Sequence, residues 1–168
     1  AIVILKEKGK LSYEDKISTF LPQLSNYKNV TIKHLLNHTG GLPDYMDLMD
    51  SLFDKSKIAT NKDIVDLFSK HNPKILFEPN TKWEYSNTGY AFLASIIEKV
   101  SGTSYGNYLQ KAIFKPLEMN NTFVYTRRFA PKKISNYAFG YIYSDSLKKY
   151  ILPDELEETK MVIWLDGI

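Results

Sequence analysis

The stretch Phe77-Glu78-Pro79-Asn80-Thr81-Lys82-Trp83-Glu84-Tyr85-Ser86-Asn87-Thr88-Gly89-Tyr90 decides how this chain is read. Pro79-Asn80 predicts a turn, and an apolar helical pattern opens at Thr88. Tyr90, Leu93, Ile96, Ile97 and Val100 follow the i, i+3, i+4, i+7 spacing, which predicts a helix over residues 88–101 stopped by Gly102. Tyr85 and Asn87 therefore stand at the mouth of that helix. A phenol titrates near ~10 in water, so it is a poor base at neutral pH unless cations favour the phenolate. Beside an ammonium group it can pass protons between a serine hydroxyl and a leaving group. A carboxamide carries donors and an acceptor, so it can hold a lysine and a substrate amide together. A purely structural reading covers the same triplet: Ser86 or Asn87 caps the helix, and Tyr85 packs as an ordinary aromatic. On the triplet alone both readings stand.

The bulk properties narrow the class. A chain of 168 residues, 43% hydrophobic and 14% aromatic, suits one globular domain with a real core. Its 22 basic and 19 acidic residues are well mixed, without a basic stripe, which argues against a nucleic-acid partner. The lack of cysteine excludes disulfides, thiolate metal sites and a cysteine nucleophile. No apolar run approaches the ~20 residues of a membrane span.

Outward from the opening stretch, helix signals dominate. Thr31 predicts the start of a helix carrying Ile32, Leu35 and Leu36 to His38, broken by Gly40-Gly41. Ser12 predicts a short capped turn before Ile17, and Pro22 ends the element that follows. Residues 42–58, with acids among Tyr45, Met46, Leu48, Met49, Leu52 and Phe53, predict a loop with one irregular helical turn. Thr60 or Asn61 caps a further helix with Ile64, Val65, Leu67 and Phe68, ended by Asn72-Pro73. Another places Tyr105, Tyr108, Leu109, Ala112 and Ile113 on one face, with Lys115-Pro116 as its stop. Residues 139–143 and 149–153 predict a hairpin across 144–148. The fold class expected is α+β, predominantly helical, with a small β-hairpin near the C-terminal end.

Both ends read as interior to a larger protein. Residues 1–9 look like the last turns of a helix closed by Gly9, with nothing ahead of Ala1 to cap it. Met161-Val162-Ile163-Trp164-Leu165 is a strand-like run without a visible partner. The expectation is one partial domain over residues 1–168, truncated at both ends.

Three further blocks surround Tyr85-Ser86-Asn87 at ordered spacing. They are Thr31-Ile32-Lys33-His34-Leu35-Leu36-Asn37-His38-Thr39-Gly40-Gly41-Leu42-Pro43, Ile96-Ile97-Glu98-Lys99-Val100-Ser101-Gly102, and Phe114-Lys115-Pro116-Leu117-Glu118-Met119-Asn120-Asn121-Thr122. In order and spacing the chain resembles the serine β-lactamase and penicillin-binding-protein family, in its class C-like branch, from Lys6 to about Thr122. The resemblance implies the helical domain of a two-domain fold, with an active site between that domain and an α/β domain. It implies that Tyr85 and Asn87 form the second of three catalytic elements, Tyr85 shuttling protons and Asn87 orienting a substrate amide and a lysine. The implied chemistry is acyl-enzyme hydrolysis of a β-lactam, D-amino peptide or ester, without metal or organic cofactor. The implied partner is a small molecule or a peptidoglycan-like peptide, and the implied location is periplasmic, extracellular or membrane-anchored in a bacterium.

The nucleophilic Ser-x-x-Lys and the Lys-Thr-Gly elements of that family are not found in these residues. Ser25-Asn26-Tyr27-Lys28 and Ser146-Leu147-Lys148-Lys149 match the first string but sit in polar loop contexts, so both read as chance matches. The chain alone is therefore expected to be inactive. A non-catalytic module that binds peptidoglycan or a partner remains the alternative. His34 and His38 have the i, i+4 spacing of a zinc pair but lack the intervening glutamate, and read as structural, with His38 satisfying carbonyls at its helix end. Asp44, Asp47, Asp50 and Asp54 read as a solvated face, not a calcium loop.

Overall fold

The short helix α1 (Ile2–Glu7) closes on Gly9, whose φ of 65° lets the chain reverse. Gly9 N–H donates to the Lys6 carbonyl and Lys10 N–H to that of Leu5, both at 2.9 Å, which is the paired closure of a Schellman turn. Ile2 and Leu5 bury the inner face. In the computed structural model, residues 1–54, 56–125, 133–135 and 137–152 are described. The strand expected over residues 161–165 lies outside them. The chain forms two compact units, one of Ala1–Phe53 with Asn61–Val124, the other of Asp54–Thr60 with Tyr125–Ile168.

In the first unit α2 (Ile17–Phe20) leads into a 3-10 helix, Pro22–Tyr27. Pro22 ends one element and opens the next, because a helix's first residues need no donor. Ile17 N–H donates to the Val30 carbonyl at 3.0 Å and Ile32 N–H to that of Asp15 at 3.0 Å. These two bonds bring the start of α3 (Ile32–Leu36) against α2. Then come α4 (Tyr45–Leu52) and α5 (Asn61–His71). The longest helix is α6 (Asn87–Ser101), and α7 (Tyr105–Leu109) runs on into one π-helical turn, Gln110–Phe114.

Helix α6 is the hub, packed by α1, α2, α3, α5 and α7. Phe92 and Ile96 are wholly buried, and the Phe92 ring meets Phe68 of α5 edge-on at 5.2 Å. Each such side chain removed from water contributes about 1.5–3 kcal/mol. Phe68 also faces Tyr27, whose hydroxyl donates to the Pro73 carbonyl at 2.8 Å. Burial pushes the Tyr27 phenol up to about 12.

Two expectations are corrected here. Residues 45–52 form a regular helix, because Asp44 accepts the Met46 N–H at 2.8 Å as N-cap and Met49 is fully buried. The apolar stripe of α6 runs through Ala91, Phe92, Leu93, Ile96 and Ile97, while Tyr90 is 50% exposed.

In the second unit β1 (Ile142–Ser144) pairs antiparallel with β2 (Lys149–Ile151), Ile142 facing Ile151 and Ser144 facing Lys149. The hairpin is the one expected, narrowed to three residues a side. Tyr143 and Tyr150 form its cross-strand ring pair at 5.3 Å. Ser144 Oγ accepts the Leu147 N–H at 3.3 Å inside the turn, where Lys148 takes a left-handed φ of 51°.

Candidate active site

Ser86 is the N-cap of α6: its backbone is extended and its Oγ accepts the Gly89 N–H at 3.1 Å. Asn87 is thus the first helical residue and Tyr85 the last before the cap. The preceding segment is laid along residues 38–41 by three backbone bonds. Leu76 N–H donates to Gly41 at 2.8 Å, Asn80 N–H to Thr39 at 2.8 Å, and Glu84 N–H to His38 at 3.0 Å. Only glycine fits at position 41. Its φ is +68°, and a Cβ there would lie 2.0 Å from the Phe77 carbonyl oxygen.

His38 does the fine placement. It sits in the left-handed region, with φ of 58°, and its Nδ1 accepts the Ser86 N–H at 3.2 Å. An acceptor at Nδ1 requires a neutral ring with its hydrogen on Nε2. One neighbour of the ring is Tyr85, 4.7 Å away and tilted by 34°; another is Tyr90, stacked at 5.0 Å. Trp83 meets it edge-on at 6.2 Å. Tyr85 is 64% exposed all the same. The expected role of His38 is corrected: its side chain satisfies an N–H from another segment, not carbonyls of its own helix. Tyr90 joins the cluster instead of the core, its hydroxyl donating to the Leu36 carbonyl at 3.3 Å.

On the other side of the cap, Asn87 Nδ2 donates to Asp44 Oδ2 at 3.2 Å. Thr88 is wholly buried, yet its hydroxyl is fully satisfied. It donates to the Pro43 carbonyl at 2.7 Å and accepts the Tyr45 N–H at 2.8 Å. Tyr45 is half-buried, and burial raises its phenol, with the charges of Asp44 and Tyr85 adding to the shift. Position 44 is therefore a helix cap gripped by α6, which corrects its reading as part of a solvated acidic face. Asp44, Tyr45 and the bonding role of Thr88 were missed in the sequence. The one available signal was an Asp ahead of Met46, Met49 and Leu52 at helical spacing.

The two Ser-x-x-Lys strings lie away from Tyr85 and Asn87 in sequence. Ser25 is exposed in the 3-10 helix, and Ser146 shares a turn hydrogen bond with Ser144 at 3.1 Å. His34 closes a capping box: its Nδ1 accepts the Thr31 N–H at 3.2 Å while Thr31 Oγ1 accepts the His34 N–H at 3.4 Å. Among the described residues no three His, Cys, Asp or Glu gather as metal ligands. Among them, too, no helix is long and apolar enough to cross a membrane.

A family model described as Beta-lactamase matches residues 1–141. The chain belongs to the beta-lactamase family. Within it, penicillin-binding protein 4* of Bacillus subtilis is 53% identical over 167 residues, which is 99% of this chain and 37% of that protein. A penicillin binding protein from Bacillus halodurans has a crystal structure that matches with a TM-score of 0.74 and 31% identity, over 90% of this chain and 45% of that one. D-amino acid amidase from Ochrobactrum anthropi SV3, complexed with L-phenylalanine amide, matches with a TM-score of 0.67 and 33% identity, over 84% and 39%. The chain thus spans less than half the length of these members of the beta-lactamase family, and what it folds into is a largely helical part of their fold.

Proposed function

We propose that this chain is part of a serine hydrolase that opens an amide or ester carbonyl through an acyl-enzyme, with Tyr85 as proton relay and Asn87 as the clamp on the substrate amide. The observation that carries the reading is the exposed Tyr85 phenol, held against His38 at the mouth of α6 two residues from Asn87. This ordered phenol is open to an incoming substrate. Tyr85 would receive the proton of the attacking serine and deliver it to the leaving group, its phenolate favoured by a neighbouring ammonium. Asn87 would bind the substrate amide and that ammonium at once. The serine and its lysine are not supplied in the family's pattern by residues 1–168, so these residues alone are expected to turn over neither β-lactam nor ester. The names of relatives favour penicillins and D-amino acid amides as the first substrates to test.

The test is acylation of the full-length protein by a reactive β-lactam, followed as a stoichiometric gain in intact mass. Tyr85→Phe is expected to slow it by about 10²–10⁴-fold, the usual loss for a positioned acid–base group. Acylation at the unmodified rate in that variant would remove Tyr85 from the mechanism, and no mass gain in the parent would leave a binding module as the better account.

A further inference from the structure

Asn87 can only work as a clamp if its amide faces a defined way, and an asparagine side chain turned over exchanges its donor for its acceptor. The partner that decides this is Asp44, whose Oδ2 lies 3.2 Å from Asn87 Nδ2. A carboxylate only accepts, so the amide must turn its NH2 to Asp44 and its Oδ1 away. Asp44 cannot follow a movement of Asn87, because its other oxygen, Oδ1, caps α4 through the Met46 N–H at 2.8 Å. Its backbone is held on both flanks by Thr88, which bonds the Pro43 carbonyl at 2.7 Å and the Tyr45 N–H at 2.8 Å. Two successive residues of α6, Asn87 and Thr88, thus grip the segment that carries the carboxylate.

We propose that Asp44 is a positioning residue for Asn87, fixing the carboxamide so that it offers Oδ1 and one remaining N–H to the substrate and its neighbouring cation. This rests on the catalytic reading of Asn87 given above. Asp44 touches no reacting atom in this scheme; it acts through the orientation of one amide. A substrate carrying an amide beside its scissile carbonyl needs that orientation, since it would accept from the free N–H while Oδ1 holds an ammonium.

Asp44→Asn separates this role from stability. Asparagine caps a helix about as well as aspartate, so α4 keeps its start. With its carbonyl kept on Met46 N–H, however, the new side chain turns an NH2 toward Asn87, and Asn87 must turn over to meet it. In the full-length protein, Asp44→Asn is expected to slow acylation by an amide-bearing penicillin on the order of 10-fold, a coupling of ordinary size for contacting residues. Its melting temperature should stay unchanged. Placed in an Asn87→Ala background, the same substitution should slow acylation no further. Full-rate acylation in Asp44→Asn, with Asn87→Ala impaired, overturns the positioning role and leaves the proposed function standing. An equal loss in both backgrounds also overturns it. If Asn87→Ala acylates normally, the proposed function fails instead. The orientation is then decided by the Asn87 side-chain NH2 resonances, assigned by their disappearance in Asn87→Ala. Asp44→Asn must shift them for the positioning to hold, and resonances that stay in place refute it.

Discussion

Two histidines four residues apart, His34 and His38, do the same thing with the same atom and to different ends. Each accepts a backbone N–H at Nδ1 over 3.2 Å. His34 takes its own helix's Thr31 N–H and completes a cap inside a single turn. His38 takes the Ser86 N–H from 48 residues away and pins the segment that carries Tyr85. The first bond builds a helix, and the second builds a candidate site on helices already built. Residue type and atom are shared, so the backbone makes the difference. His34 sits within α3, whereas His38 has crossed into the left-handed region, which swings its ring away from α3 and toward Tyr85 and Tyr90.

If that contrast is right, damage around position 38 should reach activity and damage at position 34 only stability. The harshest break is Gly41→Ala. A Cβ there meets the Phe77 carbonyl at 2.0 Å in a left-handed backbone, and a loss of about 2–4 kcal/mol is expected, read by denaturant unfolding of the full-length protein. Next comes His38→Ala, which strands the Ser86 N–H and removes the surface on which Tyr85 rests. Unfolding should cost about 1–3 kcal/mol, and acylation should fall by about 10²-fold through misplacement of Tyr85. Acylation at full rate in His38→Ala would erase the distinction between the two histidines. His34→Ala should cost about 0.5–2 kcal/mol as a lost cap partner and leave acylation per folded molecule unchanged.

The smallest effect is one of pH. Burial holds the His34 imidazole below its ordinary value of 6.5, aided by Lys33 and opposed by Glu14 and a backbone bond to Asn29. Because the folded value is the lower one, the unfolded chain binds the extra proton first. The contribution of His34 is therefore present above pH 6.5 and is lost as the pH falls below it. Thermal melts from pH 7.5 to 5 should show that slope in the parent and a flatter one in His34→Gln. A parallel slope in both would assign the pH dependence elsewhere.

What could be read in advance follows the same line between local and distant. Thr31 before Ile32 and Leu35, and the run from Thr88 to Ser101 before Gly102, are local signals, and both helices start within one residue of where those signals put them, although α3 ends at Leu36 and not at His38. Helix α4 was hidden because acids outnumber its single fully buried side chain, Met49. In α6 the stripe was misplaced onto Tyr90, because five elements surround that helix and bury residues off the simple repeat, Ala91 and Phe92 among them. Tyr85 and Asn87 were nameable through family resemblance. Their partners His38 and Asp44 were not, since bonds spanning 48 and 43 residues leave no periodic trace.

The span of the His38–Ser86 bond also bears on the order of assembly. Closing a loop of ~48 residues costs about 2–3 kcal/mol more chain entropy than closing one of three, by the logarithmic dependence on length. Packing of α3 against α6 brings the two ends together and is expected to lower that cost. The surface carrying Tyr85 is thus expected to be the last part of the first unit to form and the first to open. Amide exchange would register this as a Ser86 N–H that is released well before those of Phe92 and Ile96.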